Sequence, residues 1–299
     1  MSYRITAAAL LRIACGSLLA CPCIGGSGRA LHPATGDVQE IVRQASSKMQ
    51  EDWAAAPDFA FLQRDITTSK GITTSKTHQV FMIAGSDYYM PVAINGEPIS
   101  ADEQKLELQK LTQEVERRRR ETPQETERRT ERYRKLREQN GILLQEFTPA
   151  FDFTLAGEET VDGHLSYVLD ARPRAGYHPP NRTAKVLTGM QGRLWVDQQT
   201  FHWAKVEADV LKPVSMFGFF AKVLPGTKME LEMTPVTPDV WLISRFTVDL
   251  RLTVLWHKSM KATETIFSHY EPAAAALTQA LAGEYVFPKT LPPPAPAEN

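Results

Sequence analysis

Cysteine is scarce in this chain of 299 residues: there are three, Cys15, Cys21 and Cys23, all near the N-terminus. The body therefore has no thiol for a disulfide or a thiolate metal site. Net charge is equally slight, 34 Lys and Arg against 35 Asp and Glu for a formal −1, so no general field draws the protein toward nucleic acid or an anionic membrane. Short chemical signatures are missing too: no P-loop, no G-x-S-x-G elbow, no H-E-x-x-H and no G-x-G-x-x-G occurs. His78, His164, His178, His202, His257 and His269 are scattered without metal-ligand spacing between neighbours, and a lone histidine on a strand is far more often structural or exposed than functional. We expect no catalytic residue, no cofactor and no metal, and hence not an enzyme.

Long apolar runs are confined to the N-terminus, where Ile5 to Ala20 is broken by Arg12. That run is too short and interrupted to span a bilayer. With Arg4 before it and small residues after it, residues 1–30 read as an export signal; the competing reading is a buried N-terminal helix. Leu18-Leu-Ala-Cys21 has the form of a lipobox, which makes Cys21 a lipidation candidate, and the rival cleavage point follows Ala30. The expected location is the periplasm or the outer membrane of a Gram-negative-type bacterium, with membrane contact only through that anchor. At the other end, residues 288–299 are proline-rich and expected to be disordered. Residues 31–287 are expected to form a single domain, a monomer, with a charged helical insertion at 100–140.

Within that body, periodicity separates the elements. Val38, Ile41, Val42, Ala45 and Met49 fall at helical spacing over 37–50, behind Thr35 or Asp37 as the cap. Ser69-Lys-Gly71 and Asn95-Gly96 mark tight turns between Phe-, Ile-, Val- and Thr-rich runs. After residue 141 the pattern is strand upon strand. Val161-Asp-Gly163 and Asp197-Gln-Gln-Thr200 separate the first pairs, and Asp162 and Asp197 are explained by those turns. Ala204, Val206, Ala208 and Val210 oppose Lys205, Glu207 and Asp209. Met229, Leu231 and Met233 oppose Glu230 and Glu232, and Phe246, Val248, Leu250 and Leu252 oppose Thr247, Asp249 and Arg251. Such alternation belongs to antiparallel strands with one wet face, whereas parallel strands between crossover helices read as continuous apolar runs. The fold class is therefore mainly β with helices, and 273–282 is expected to close it as a short helix.

Two segments depart from the pattern. Ser100 with Glu103 opens a charged helix or helix pair that breaks near Thr122-Pro123 and is expected to stop at Gly141. Its Arg117 to Arg120 run is interleaved with Glu114, Glu116 and Glu121 at helical spacing, so we read it as a solvated face and not a nucleic-acid patch. The loop between 171 and 187, rich in Pro and Arg, is either a fixed connection or a rim over a cavity.

The strand pair Gly192-Arg-Leu-Trp-Val-Asp-Gln-Gln-Thr-Phe-His-Trp-Ala-Lys-Val-Glu207, the preceding Gly163-His-Leu-Ser-Tyr-Val-Leu-Asp-Ala-Arg-Pro173 and the late Phe267-Ser-His-Tyr270 resemble the LolA/LolB-like group of outer-membrane lipoprotein-sorting and carrier proteins. The resemblance runs over about two thirds of the chain as an order of strands. It implies a curved antiparallel sheet, an incomplete β-barrel, with helices against its concave face around an apolar cavity for acyl chains. The charged insertion and the long body are departures from that group, and none of its cavity residues is carried over. From composition, the candidates for a hydrophobic cavity are Trp195, Phe217, Phe219, Phe220, Trp241 and Trp256; Trp203 ranks below them, because alternation places it on the more polar face. The expected function is a cell-envelope carrier for lipoprotein acyl chains or another hydrophobic ligand. The alternative is an envelope scaffold whose sheet is filled by its own side chains and whose 100–140 segment meets a protein partner.

Overall fold

The structure, a computed structural model, describes residues 38–215, 221–255 and 257–288. The expected export signal, Cys21, Phe217, Phe219, Phe220, Trp256 and residues 289–299 lie outside the described residues.

Helix α1 (Val38–Ala55) leads into the strands β1 (Phe59–Ser69), β2 (Ile72–Ile83), β3 (Ser86–Ile94) and the short β4 (Glu97–Pro98). Two helices follow, α2 (Ala101–Arg119) and α3 (Pro123–Ala150). The remaining strands are β5 (Phe151–Val161), β6 (His164–Pro173), β7 (Met190–Asp197), β8 (Trp203–Val210), β9 (Val214–Ser215), β10 (Ala221–Val223), β11 (Lys228–Thr237), β12 (Val240–Val254) and β13 (His257–Pro272), before the closing helix α4 (Ala273–Leu281). All thirteen strands join one sheet, ordered β4-β3-β2-β1-β13-β12-β11-β8-β7-β6-β5, with β9 and β10 attached beside β12. Every pairing is antiparallel. The end strands β4 and β5 do not meet, so the sheet is not closed into a barrel.

Cross-strand partners share a face, and this identifies what each helix covers. The row Leu169, Leu194, Val206, Leu231 and Phe246 runs from β6 to β12 and continues through Thr265 to Asp65. Helix α1 buries Ile41, Ala45 and Met49, and α3 buries Phe147 and Ala150, in the core built on this inner face. On the outer face, Ala60, Leu62, Phe81, Ile83, Met90 and Val92 form a second core with Leu111 and Val115 of α2 and Ala276 and Ala280 of α4. Helices α2 and α4 therefore lie on the face opposite to α1 and α3.

Both helices of the charged segment begin with capping boxes, Ser100 with Glu103 and Thr122 with Glu125. Between them the chain reverses around the β2–β3 turn. From α2, the Arg118 guanidinium donates to the carbonyls of Ile83 (2.7 Å), Ser86 (3.0 Å) and Asp87 (3.0 Å) and to Ser86 Oγ (2.9 Å). From α3, Arg129 donates to Ala84 O and Ser86 Oγ, both at 2.9 Å, and Tyr133 reaches Met82 Sδ. The hairpin thus clamps one end of the sheet, with one helix on each face. Arg118 is buried, which corrects the expectation that Arg117 to Arg120 form a solvated face: only one arginine of the four points at the turn carbonyls, and the spacing to glutamates could not single it out.

Gly141 does not end a helix. It lies inside α3, where an added methyl would stand 2.8 Å from Trp53 Cζ2. Its small size lets α1 and α3 approach, which is a packing requirement and not the left-handed backbone of a helix stop.

Candidate ligand-binding face

Over β5–β8, β11 and β12 the inner face is filled. A register shift between Trp195 and Val196 pairs Val196 with Trp203 and turns Trp203 inward, where it is among the largest fully buried side chains and meets Phe147 at 5.5 Å. The bulge overrides the alternation that had placed this tryptophan on the polar face. Trp195, a cavity candidate by composition, is paired with Val168 and Lys205 on the outer face. Its Nε1 donates to Glu159 Oε2 at 2.7 Å, while Arg193 and Lys205 lie over the ring at 5.8 and 5.5 Å. Trp241 is buried on the inner side, stacked 5.5 Å from His202 at 10° and edge-on to His164 at 4.6 Å. The two remaining tryptophan and phenylalanine groups proposed from sequence, Trp256 and the Phe217 to Phe220 run, lie outside the described residues.

Sequence reasoning missed a buried acid–imidazole pair in this core. Asp52 follows Ile41, Ala45 and Met49 on the buried stripe of α1 and is 2 % exposed; His202, just before β8, is 1 % exposed. Asp52 Oδ2 stands 3.2 Å from His202 Nδ1, and Asp52 Oδ1 accepts the Trp241 backbone N–H at 2.9 Å. Burial pushes the Asp52 carboxyl up to about 7, against the pull of the Trp241 N–H, and pushes the His202 imidazole down to about 4. Sealed from solvent, the pair pins α1 to the starts of β8 and β12. The signal was present in the sequence: a carboxylate three residues after Met49 continues an apolar helical stripe.

Turns and loops account for the other polar groups. Asp197 Oδ1 accepts from the backbone N–H groups of Gln199 and Thr200, as an aspartate-led turn requires. The 171–187 loop is a fixed connection: Tyr177 Oη donates to Glu146 of α3 at 2.7 Å, and Arg174 bonds Asp152 and the Phe151 carbonyl, each at 2.8 Å. Two hollows of about 490 and 540 Å³ are formed by the helices. The first lies among Trp53, Gly85, Tyr133, Arg134 and Arg137, and the second among Glu116, Arg117, Arg120 and Glu121. Their charged walls suit neither to an acyl chain.

A different part of the inner face lies outside the core under α1 and α3, although Val80, in register with Phe61, is buried there. On β1, β2 and β13 the same face carries Phe61, Gln63 and Asp65, His78, and Thr265 and Phe267. All are half-buried, and none belongs to the core under α1 and α3. One end of this strip is aromatic: Phe61 stands 5.7 Å from Phe267 and 5.4 Å from Tyr270. The other end is polar. Asp65 accepts from Gln63 Nε2 at 3.0 and 2.9 Å and from Thr265 Oγ1 at 3.0 Å. Beside Gln63, the His78 Nδ1 has no hydrogen-bond partner among the described residues, and burial lowers the affinity of that imidazole for a proton. The strip is thus amphipathic along its length and changes character between residues 61 and 65 of β1. Among the described residues no three His, Cys, Asp or Glu side chains gather as a metal site would require.

No family model and no curated protein matches the chain. Solved structures do. A LolA superfamily protein from Nitrosomonas europaea is 14% identical over 78% of this chain and 92% of its own, with a TM-score of 0.33. A DUF1329 family protein from Desulfovibrio piger is 11% identical over 82% and 96%, with a TM-score of 0.32. A domain assigned to outer-membrane lipoprotein sorting, from Vibrio parahaemolyticus, is 12% identical over 77% and 92%, with a TM-score of 0.31. The likeness to each covers most of both chains at low identity.

Proposed function

We propose that the protein is a cell-envelope carrier that holds an elongated amphiphile, the acyl chain of a lipoprotein or a comparable lipid, along the inner-face strip of β1, β2 and β13. The observation that carries this reading is the half-buried aromatic-to-polar strip left outside the core of α1 and α3. The seven strand residues from Phe61 to Thr67 span about 20 Å. Each methylene removed from water contributes about 0.8 kcal/mol, so a chain lying on Phe61 and Phe267 needs few polar contacts beyond those that seat its head. Gln63, Asp65, Thr265 and His78 supply those contacts. The reading moves the ligand away from Trp195, which packs on the outer face, and from Trp241, which is held by the Asp52 and His202 pair. It includes no catalytic step. Export through residues 1–30, and acylation of Cys21 or cleavage near Ala30, belong to the same proposal, and the mass of the mature N-terminal peptide distinguishes those two outcomes.

Delipidated protein should take up a fluorescent fatty-acyl probe, and Phe61→Ser with Phe267→Ser should weaken uptake at least about tenfold. Trp195→Phe, on the far face, should leave it unchanged. Failure of the wild-type protein to bind the probe would sink the proposal. A second reading, an envelope scaffold without ligand, draws on the filling of the β5–β8, β11 and β12 inner face by the protein's own side chains. Under that reading the α2–α3 hairpin takes a protein partner, and mass spectrometry of the purified protein finds no bound lipid.

A further inference from the structure

The sequence balances its charges, but the fold does not distribute them evenly. Four connected regions meet at one end of the sheet: the β1–β2 turn, the β12–β13 hairpin end, β10 and the approach to β11. Ser69 pairs with both Lys261 and Ile72, Val254 pairs with His257, and Ala221 pairs with Val254, so these segments are neighbours. Residues 66–76, 210–229 and 250–263 include eight lysines and arginines, Lys70, Lys76, Lys212, Lys222, Lys228, Arg251, Lys258 and Lys261, and no aspartate or glutamate. The bounding carboxylates are Asp65, opposite Lys76, Asp209 and Asp249, both opposite Lys228, and Glu230 and Glu264. Lys70, Lys222 and Lys258 are exposed and form no ion pair among the described residues. Lys222 and Lys258 flank Thr253 in one cross-strand row, roughly 10 Å apart.

The same end exposes apolar side chains on both faces, Ile72 at 69 % in the row of Ser69 and Lys261 and Met260 at 70 % on the other face in register with Arg251, with Val254 and Leu255 exposed at the tip of the β12–β13 hairpin. Exposed apolar residues and cations at one end of a sheet are the two components that an interfacial anchor combines: apolar groups enter the headgroup boundary while lysines meet lipid phosphates. A basic patch alone would fit any polyanion, and an apolar patch alone would fit any greasy surface. Among the described residues no helix is long and apolar enough to cross a membrane. We propose that this end of the sheet, built from the β1–β2 turn and the β12–β13 hairpin, docks the protein on an anionic lipid surface. This contact is separate from any lipid on Cys21 and does not depend on whether the inner-face strip carries a ligand.

The test uses the full chain with Cys21→Ser, so that no acyl anchor contributes, in co-sedimentation with vesicles of phosphatidylcholine alone or with about a third phosphatidylglycerol. Binding is expected to the anionic vesicles and to fall with added salt. Replacing Lys70, Lys222 and Lys258 together by glutamine should weaken it on the order of 100-fold. Ile72→Ser with Met260→Ser should weaken it at least about tenfold while leaving the charges in place. Equal binding to neutral vesicles, or no effect of the lysine replacements, overturns the proposal. So does a serine pair without effect combined with equally tight binding of soluble polyphosphate, which assigns the surface to an acidic macromolecule. Circular dichroism of each variant confirms that a loss of binding is not a loss of fold.

Discussion

Replacing Asp52 with asparagine should convert a pH-insensitive tie between α1 and the sheet into a pH-sensitive one. In the folded protein burial raises the Asp52 carboxyl to about 7 from an ordinary 3.8 and lowers the His202 imidazole to about 4 from 6.5. A raised carboxyl contributes stability below its unfolded value that is lost as pH rises through the folded one. A depressed imidazole contributes stability above its unfolded value that is lost as pH falls through the folded one. Between about pH 4 and 6.5 the folded pair holds one proton, on Asp52, and the unfolded chain also holds one, on His202. The two slopes cancel, and the wild-type pair adds no pH dependence in that window. Asparagine keeps an acceptor for the Trp241 N–H and can donate to His202 Nδ1, so the geometry is retained while the carboxyl is removed. Stability of Asp52→Asn should then fall by about 1.4 kcal/mol per pH unit below 6.5, about 3 kcal/mol in all. His202→Gln leaves the carboxyl alone and should show the opposite slope, losing stability as pH rises from about 4 to about 7. Urea unfolding followed by circular dichroism across that range measures both. A flat difference between Asp52→Asn and wild type, or slopes of the same sign in the two variants, would refute the reasoning.

Three further outcomes follow from the helix contacts. Gly141→Val should cost about 1–3 kcal/mol in thermal unfolding, because its side chain enters the space of Trp53; an unchanged midpoint would mean that Trp53 can move aside. Arg118→Lys keeps the charge but cannot span the carbonyls of Ile83, Ser86 and Asp87, so it should lose about 2–3 kcal/mol and speed hydrogen exchange in the β2–β3 turn. Unaltered exchange there would show that the turn holds without the clamp. Deletion of residues 100–140 removes Leu111 and Val115 from the outer core, at about 2–5 kcal/mol for each large apolar side chain, and should abolish cooperative unfolding; a deleted protein that still unfolds cooperatively would mark the segment as a detachable insertion.

Local pattern was sufficient for strands that alternate clearly: Ala204, Val206, Ala208 and Val210 face the core as their period requires, whereas β13 (His257–Pro272) carried no such signal and was not expected. The capping box at Ser100, the helix break at Thr122-Pro123 and the turns at Lys70-Gly71, Asn95-Gly96 and Asp162-Gly163 were legible for the same reason, since each depends on neighbours within a few residues. Tertiary structure decided what local pattern cannot carry. One extra residue in a strand pair turned Trp203 inward, and Gly141 served a contact between helices instead of a helix end. Asp52 acquired its meaning from partners 150 and 189 residues away, and the half-covered strip around Phe61 exists because α1 and α3 cross one part of the inner face and not another. A composition with a net charge of −1 became a molecule with an excess of cations at one end, since a sum over the chain retains no record of which turns the sheet brings together.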